Sequence, residues 1–345
     1  PAGPGPGRAG DRFDRAMLVD VLAPDQIPSI DDPTFIPPGR AAWVADRAPV
    51  ASVEFDGDAR AYPLQIMTRH EIVNDVIAGR PVAVTYCPLC NSAIAFDRRV
   101  GERTLEFGVS GKLYASDLVM YDRQTGSLWL QLTGESIQGP LAGRTLEVLP
   151  AQILSFAQWR RDHPNGRVLS RPSAGSGSYQ TNPYVGYDRQ PGPYGSFFDR
   201  PVDGRLEPME RVAGVTIDGV VVAYPYRTLA TDDRIGAIND TVAGRPVAVF
   251  WEAGVASALD TERIADGRDV GTSGVFLAQT EGRRLTFGIR EGTIRDRETG
   301  SSWTIGGRAV SGSLAGTRLE PVPHVDAFWF AWQAFYPESE VYSEG

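Results

Sequence analysis

The chain has 345 residues, 42% hydrophobic and 22% charged, an ordinary globular composition long enough for about two domains or for one domain built from two similar halves. A formal net charge of -9 and a pI near 5.0 argue against a nucleic-acid groove or an anionic membrane surface as partner, because both require a basic patch. The only cysteines are Cys87 and Cys90, which excludes a disulfide framework and any site needing three thiolates and leaves a single C-x-x-C to explain.

In chain order, the Pro/Gly-rich start, PAGPGPGRAG, cannot bury apolar area, and residues 1 to about 12 read as a flexible tether or leader remnant, followed by an arm to about residue 40. ASVEFDGDARAYP at 51–63 carries a hairpin signal at Asp56 and Gly57. LQIMTRHEIVNDVIAG at 64–79 predicts a helix with Ile66, Val73 and Ile77 on one face and Gly79 as its stop. PVAVTY at 81–86 is a continuous apolar run, the mark of a strand covered on both sides. Hairpins are predicted around Gly101 and around Thr125 and Gly126, and SFAQWRRDHPNG at 155–166 predicts a short helix. Residues 171–204, rich in Gly, Pro, Ser and Tyr, read as an ordered crossing loop, and FWFAW at 328–332 as a buried helix. No run of about 18 apolar residues occurs, so no membrane-spanning helix is predicted.

Several segments occur twice. IAGRPVAV at 77–84 returns as VAGRPVAV at 242–249, DRQTGSLW at 122–129 as DRETGSSW at 296–303, and GPLAGRTLEVLP at 139–150 as GSLAGTRLEPVP at 312–323. The order is the same in both halves, which predicts one unit used twice, at 41–170 and 211–345, with 171–210 crossing between them. The expected class is α+β, mostly antiparallel sheets with short helices, in two pseudo-symmetric lobes.

Each copy serves as a control on the other. Glu252 stands where the first copy has Cys87, Val255 where it has Cys90 and Ile235 where it has His70, and the loop GKLYASDLVMY at 111–121 has no full counterpart. The first copy is therefore expected to carry the chemistry. The helix predicted over 64–79 would bury His70 and lead into the strand ending at Cys87, which makes His70, Cys87 and Cys90 a candidate metal triad. Copper is favoured over zinc, because the site is short of ligands and soft thiolates select Cu(I); the remaining position falls to water, to Glu71 or Asp117, or to His163 or His324. Lys112, Tyr114 and Asp117 are placed at the edge of a substrate or small-molecule site. Rival chemistries are thiol–disulfide exchange at Cys87 and Cys90, a lone nucleophilic Cys87 activated by His70, and a structural zinc or disulfide clip in a ligand-binding protein. Trp129 and Trp303 are equivalent core positions, and His163 at a helix end suits an imidazolium facing the helix dipole.

The run RAYPLQIMTRHEIVNDVIAGRPVAVTYCPLCNSAIAFDR at 60–98, followed by FGVSGKLYASDLVMYDRQTGSLW at 107–129, resembles the family catalogued as domain of unknown function 3179. The likeness runs from about residue 40 through the second half. One departure is Arg69, where the family pattern has Trp before the histidine, a change that touches helix packing more than chemistry. The resemblance implies no particular activity. It implies an exported or lipid-anchored setting, so an extracytoplasmic location is expected, with any lipid anchor lying before Pro1.

Overall fold

The computed structural model describes residues 13–171, 179, 181–230 and 234–343. The tether predicted over residues 1 to about 12 and part of the crossing loop, 172–178 and 180, lie outside the described residues.

Three antiparallel units follow one another in the first half. Strands Pro49–Phe55 and Asp58–Pro63 form the predicted hairpin, with Asp56 and Gly57 at φ 49° and 80°. Positive φ at both turn residues matches the right-handed strand twist, which is why a two-residue loop suffices. Gln152–Ser155 flanks this pair antiparallel on one side, and Arg167–Leu169 flanks it in parallel on the other. Next comes the meander Ile72–Ile77, Arg80–Cys87 and Ser92–Asp97, edged by Val148–Leu149. The third sheet runs Leu18–Asp20, Phe107–Tyr114, Asp117–Asp122, Leu128–Leu130 and Ser136–Gln138.

Sheets of the same order stand in the second half. His324–Phe328, Arg211–Ile217, Val220–Pro225 and Glu340–Val341 form one, Ile235–Val242, Arg245–Glu252 and Thr272–Leu277 another, and Phe287–Arg290, Thr293–Asp296, Ser302–Trp303 and Ala309–Ser311 the third. One core cluster, including Val215, Tyr224, Val249 and Val275, belongs to the second half alone, but two others are shared between the halves. Trp329, Phe330 and Trp332 from the predicted aromatic helix, seen at Trp329–Phe335, join the main core with Ile66, Val84 and Phe96. A second core mixes Val50, Leu154 and Trp159 with Phe250, Phe276 and Trp303.

The helix predicted over 64–79 is half helix. It spans Leu64–His70, reverses at Glu71 with φ 58°, and continues as the strand Ile72–Ile77. Val73 and Ile77 are four residues apart, a spacing that shares one face in a strand as well as in a helix. The β-branched run Ile72, Val73, Val76 and Ile77 favours the pleated surface, and the Ala78-Gly79 turn pairs it with Arg80–Cys87. The hairpins around Gly101 and Gly126 and the helix at Phe156–Asp162 are present as predicted.

Two unpredicted contacts position the functional region. The arm strand Leu18–Asp20 adds to the edge of the third sheet, and the next two residues, Val21 and Leu22, both donate their backbone N–H to Gly111 O at 2.9 Å. Gly111 sits at φ 76°, and a Cβ there would lie 2.2 Å from Leu22 O, so only glycine lets the arm approach. The crossing segment lies over the same face, with Tyr187 donating its hydroxyl to Leu89 O at 3.1 Å.

Candidate functional site

The strand Arg80–Cys87 ends at a pair, Cys87 with Ser92, and the four residues between them form a tight turn. Asn91 closes the turn at φ 56°, its N–H donated to Pro88 O at 3.2 Å. The C-x-x-C spacing thus places both sulfurs on one side of a turn that is almost wholly buried, Cys87 being 2% and Cys90 0% exposed. Both are free thiols.

A second turn meets them. Phe107–Tyr114 and Asp117–Asp122 are joined by Ala115 and Ser116 at φ 50° and 66°, left-handed values that cost side-chain-bearing residues energy and that surrounding packing must hold in place. Ser116 O accepts from the Cys87 and Cys90 thiols at 3.6 and 3.5 Å, and the Cys90 thiol also points to Asp117 Oδ1 at 3.7 Å. The two sulfurs and an Asp117 oxygen lie within 4.8 Å of one another, all buried. The buried Ser116 hydroxyl has no hydrogen-bond partner among the described residues.

This pocket of acids is poorly solvated. Burial pushes the Asp117 carboxyl up to about 7 despite the Leu132 N–H it accepts at 3.0 Å. Burial, with the neighbouring Asp117 charge adding to it, pushes Glu71 up to about 8, against the pull of the Tyr184 hydroxyl. Burial also raises the Cys90 thiol, and Cys87 and Asp117 raise it further. In each case desolvation is the largest cause disfavouring the anion, and for Glu71 a like charge comes second.

A cavity of about 220 Å³ opens beside the cluster. Cys87 and Glu71 line it with Lys112, Leu118, Tyr184 and Phe197, whereas Cys90 and Asp117 stand behind Cys87.

Of the sequence-predicted residues, Cys87, Cys90 and Asp117 come together, with Asp117 inside the cluster rather than at a substrate edge. His70 does not join them. Its Nδ1 lies 2.7 Å from Pro28 O and its Nε2 2.8 Å from the Tyr179 hydroxyl. A carbonyl only accepts, so Nδ1 carries the proton and Nε2 accepts from Tyr179, leaving no ring nitrogen for a metal. The physical reason is the reversal at Glu71, which ends the helix and lets the arm and the crossing segment, both distant in sequence, close on the imidazole. Lys112 lines the cavity but is ion-paired to Asp20. Tyr114 packs between Phe13 and Phe335, with ring centroids at 5.3 and 6.0 Å, and accepts from Asp14 N at 3.3 Å, so it serves the arm rather than the cavity.

The other histidines are elsewhere. His163 packs at a tilt against Trp159, ring centroids 5.6 Å apart, and faces Glu54 at 3.4 Å; burial lowers its pKa, which opposes the imidazolium expected at the helix end. His324 Nδ1 lies 3.1 Å from Val322 O, away from the thiols' group. Sequence reasoning missed Tyr184 and the Ser116 turn. Arg69, the departure from the family pattern, latches the crossing segment by donating to Thr181 O and Oγ1, both at 2.7 Å.

No described helix is long and apolar enough to cross a membrane. No curated protein and no solved structure matches the chain. The family model described as "Protein of unknown function (DUF3179)" matches residues 24–339, nearly the whole chain, and the protein belongs to that family.

Proposed function

We propose that the protein holds a single metal ion, zinc or copper, between Cys87 and Cys90 with Asp117 as third ligand, and that an open position faces the cavity at Cys87. The observation that supports this most is the approach of two thiols and a carboxyl oxygen to within 4.8 Å in a buried site. Without a cation, burial disfavours the anionic forms of Asp117 and Cys90, and Cys87 and Asp117 disfavour the Cys90 thiolate further; a bound divalent ion reverses that balance by stabilising the deprotonated ligands. Replacing His70 by Asp117 in the ligand set shifts the preference toward zinc, because a carboxylate oxygen is a harder donor than imidazole, whereas the thiolate pair alone suits Cu(I). Three protein ligands and an open fourth position form the pattern of a reactive rather than a closed structural site. An extracytoplasmic location belongs to the same proposal, since a metal would protect adjacent thiols from oxidation there; fractionation of the native cells checks it.

Elemental analysis of the purified chain tests the reading. About one metal ion per chain is expected, lost in Cys87→Ser and Cys90→Ser, weakened in Asp117→Asn and kept in His70→Gln. Metal-free wild type, or metal retained in both cysteine variants, removes it.

One observation favours a second reading, dithiol–disulfide exchange: the Cys90 thiol points at Asp117, a carboxyl poised near 7. Cys87 thiolate would attack a substrate disulfide from the cavity side, releasing one substrate thiol. Cys90 would pass its proton to Asp117 and displace the second, leaving a Cys87–Cys90 disulfide and a reduced substrate. Metal-free protein with a reversible Cys87–Cys90 disulfide selects this reading.

A further inference from the structure

We propose that the cavity at Cys87 binds a small uncharged molecule with an apolar body, about the size of a substituted benzene, and presents its reactive end to Cys87. What happens to that end rests on the metal-centre reading, but the binding itself does not.

Size comes first. The cavity measures about 220 Å³, and an apolar cavity of roughly 150 Å³ already accepts benzene. A single ring with a short substituent therefore fills it. Access is one-sided, because Cys87 is the member of the buried trio that lines the cavity, and a ligand reaching the trio must meet that sulfur.

Charge comes second. The two ionisable carriers on the wall, Glu71 and Lys112, are already matched, Glu71 with the Tyr184 hydroxyl and Lys112 with Asp20. With no metal bound, a carboxylate or ammonium entering would lose its water without gaining a free counter-charge, whereas a neutral polar group needs one hydrogen bond.

The entrance comes third. Six large hydrophobic side chains are exposed among the described residues, and three of them, Val21, Leu22 and Tyr194, line this one cavity. They arrive from the arm and the crossing segment, which belong to neither repeated unit. Exposed apolar side chains gathered at one mouth mark a ligand-binding entrance more than scattered surface does.

The metal content of the protein as purified is measured first, and the chelator-treated whole chain is then titrated with benzyl alcohol, benzoate and benzylamine, read by saturation-transfer NMR and calorimetry. Benzyl alcohol is expected to bind at one saturable site, with benzoate and benzylamine weaker by about tenfold or more. Leu118→Trp fills the cavity and should abolish binding. Val21→Asp places a charge at the exposed rim with little demand on folding and should weaken binding about fivefold or more, which decides the matter should Leu118→Trp not fold. Equal or tighter binding of either charged analogue, no saturable benzyl alcohol site, or wild-type affinity in Val21→Asp overturns the proposal. Benzyl alcohol binding by a protein that carries no metal as purified upholds the cavity while removing the metal centre, and metal as purified without benzyl alcohol binding does the reverse.

Discussion

The two halves share a scaffold and differ at one end of it. In the first half Asn74 donates to Phe107 O at 2.8 Å and accepts from Phe107 N at 2.9 Å; in the second, Asn239 makes the same two bonds with Phe287 at 2.8 and 2.7 Å. Tyr62 donates to Asp75 as Tyr224 does to Asp240. The difference lies where the meander meets the hairpin. Glu252, aligned with Cys87, is held by Gln158 Nε2 at 3.2 Å, and the second-half hairpin closes early, at Arg290 and Thr293. The first-half hairpin runs past a register shift between Val109 and Lys112 to Tyr114 and Asp117. That extra length carries Asp117 to the thiols and Lys112 to the cavity. A common frame is thus kept in both halves, and one hairpin extension with two cysteines adds a buried cluster of two thiols and a carboxyl to one of them.

The largest expected effect erases that difference. Cys87→Ser combined with Cys90→Val, the latter being the second-half residue, should reduce bound metal from about one ion per chain to less than about a tenth, while circular dichroism stays that of the wild type. Metal surviving this change would place the ion elsewhere and break the comparison. Glu71→Gln comes next, measured on chelator-treated protein. Glu71 ionises near 4.5 when unfolded and near 8 when folded, so between those values the folded chain keeps a proton that the unfolded chain releases. Stability from this group is therefore undiminished below about pH 4.5, falls as pH rises toward 8, and levels off above. The Gln variant should match wild type at about pH 4 and exceed it by on the order of 5 kcal/mol at about pH 9 in urea unfolding. An equal difference at both pH values would show that folding does not shift the Glu71 pKa.

Comparison of the copies pointed to the Cys87, Cys90 and Asp117 cluster because it asks which side chains the frame does not need, and Cys87 and Cys90 answer that directly. Asp117 was visible as part of a loop missing from the second copy, but its role depends on a turn with two left-handed residues, Ala115 and Ser116, whose types give no such signal. His70 misled for a related reason. Nearness along the chain suggested nearness to Cys87, yet its partners, Pro28 and Tyr179, come from segments outside the repeats, where the copies offer no control. Tyr184 escaped for the same cause. The strand at Ile72–Ile77 was hidden because residues four apart share a face in helix and strand alike, and only the β-branched run and the Ala78-Gly79 turn decide between them.

The smallest expected effect sharpens the shared side of the comparison. Trp129 donates its indole N–H to Asp122 Oδ2 at 2.9 Å and meets Phe107 edge-on at 5.8 Å; Trp303 donates to Asp296 Oδ2 at 2.9 Å and meets Phe287 at 5.7 Å. Replacing either Trp by Phe keeps an aromatic body and removes one donor from a buried carboxylate. What remains around the two carboxylates is also matched: Asp122 still accepts Thr125 N at 2.6 Å and Thr125 Oγ1 at 2.9 Å, and Asp296 accepts Thr299 N and Oγ1 at 2.6 and 2.8 Å. Trp129→Phe and Trp303→Phe should therefore cost about 2 kcal/mol each in urea unfolding, equal to within about 1 kcal/mol. Metal content should be unchanged in Trp303→Phe, whose half carries no thiols. A cost confined to Trp129→Phe would mean that the second half keeps the hydrogen bonds of the frame without depending on them for stability.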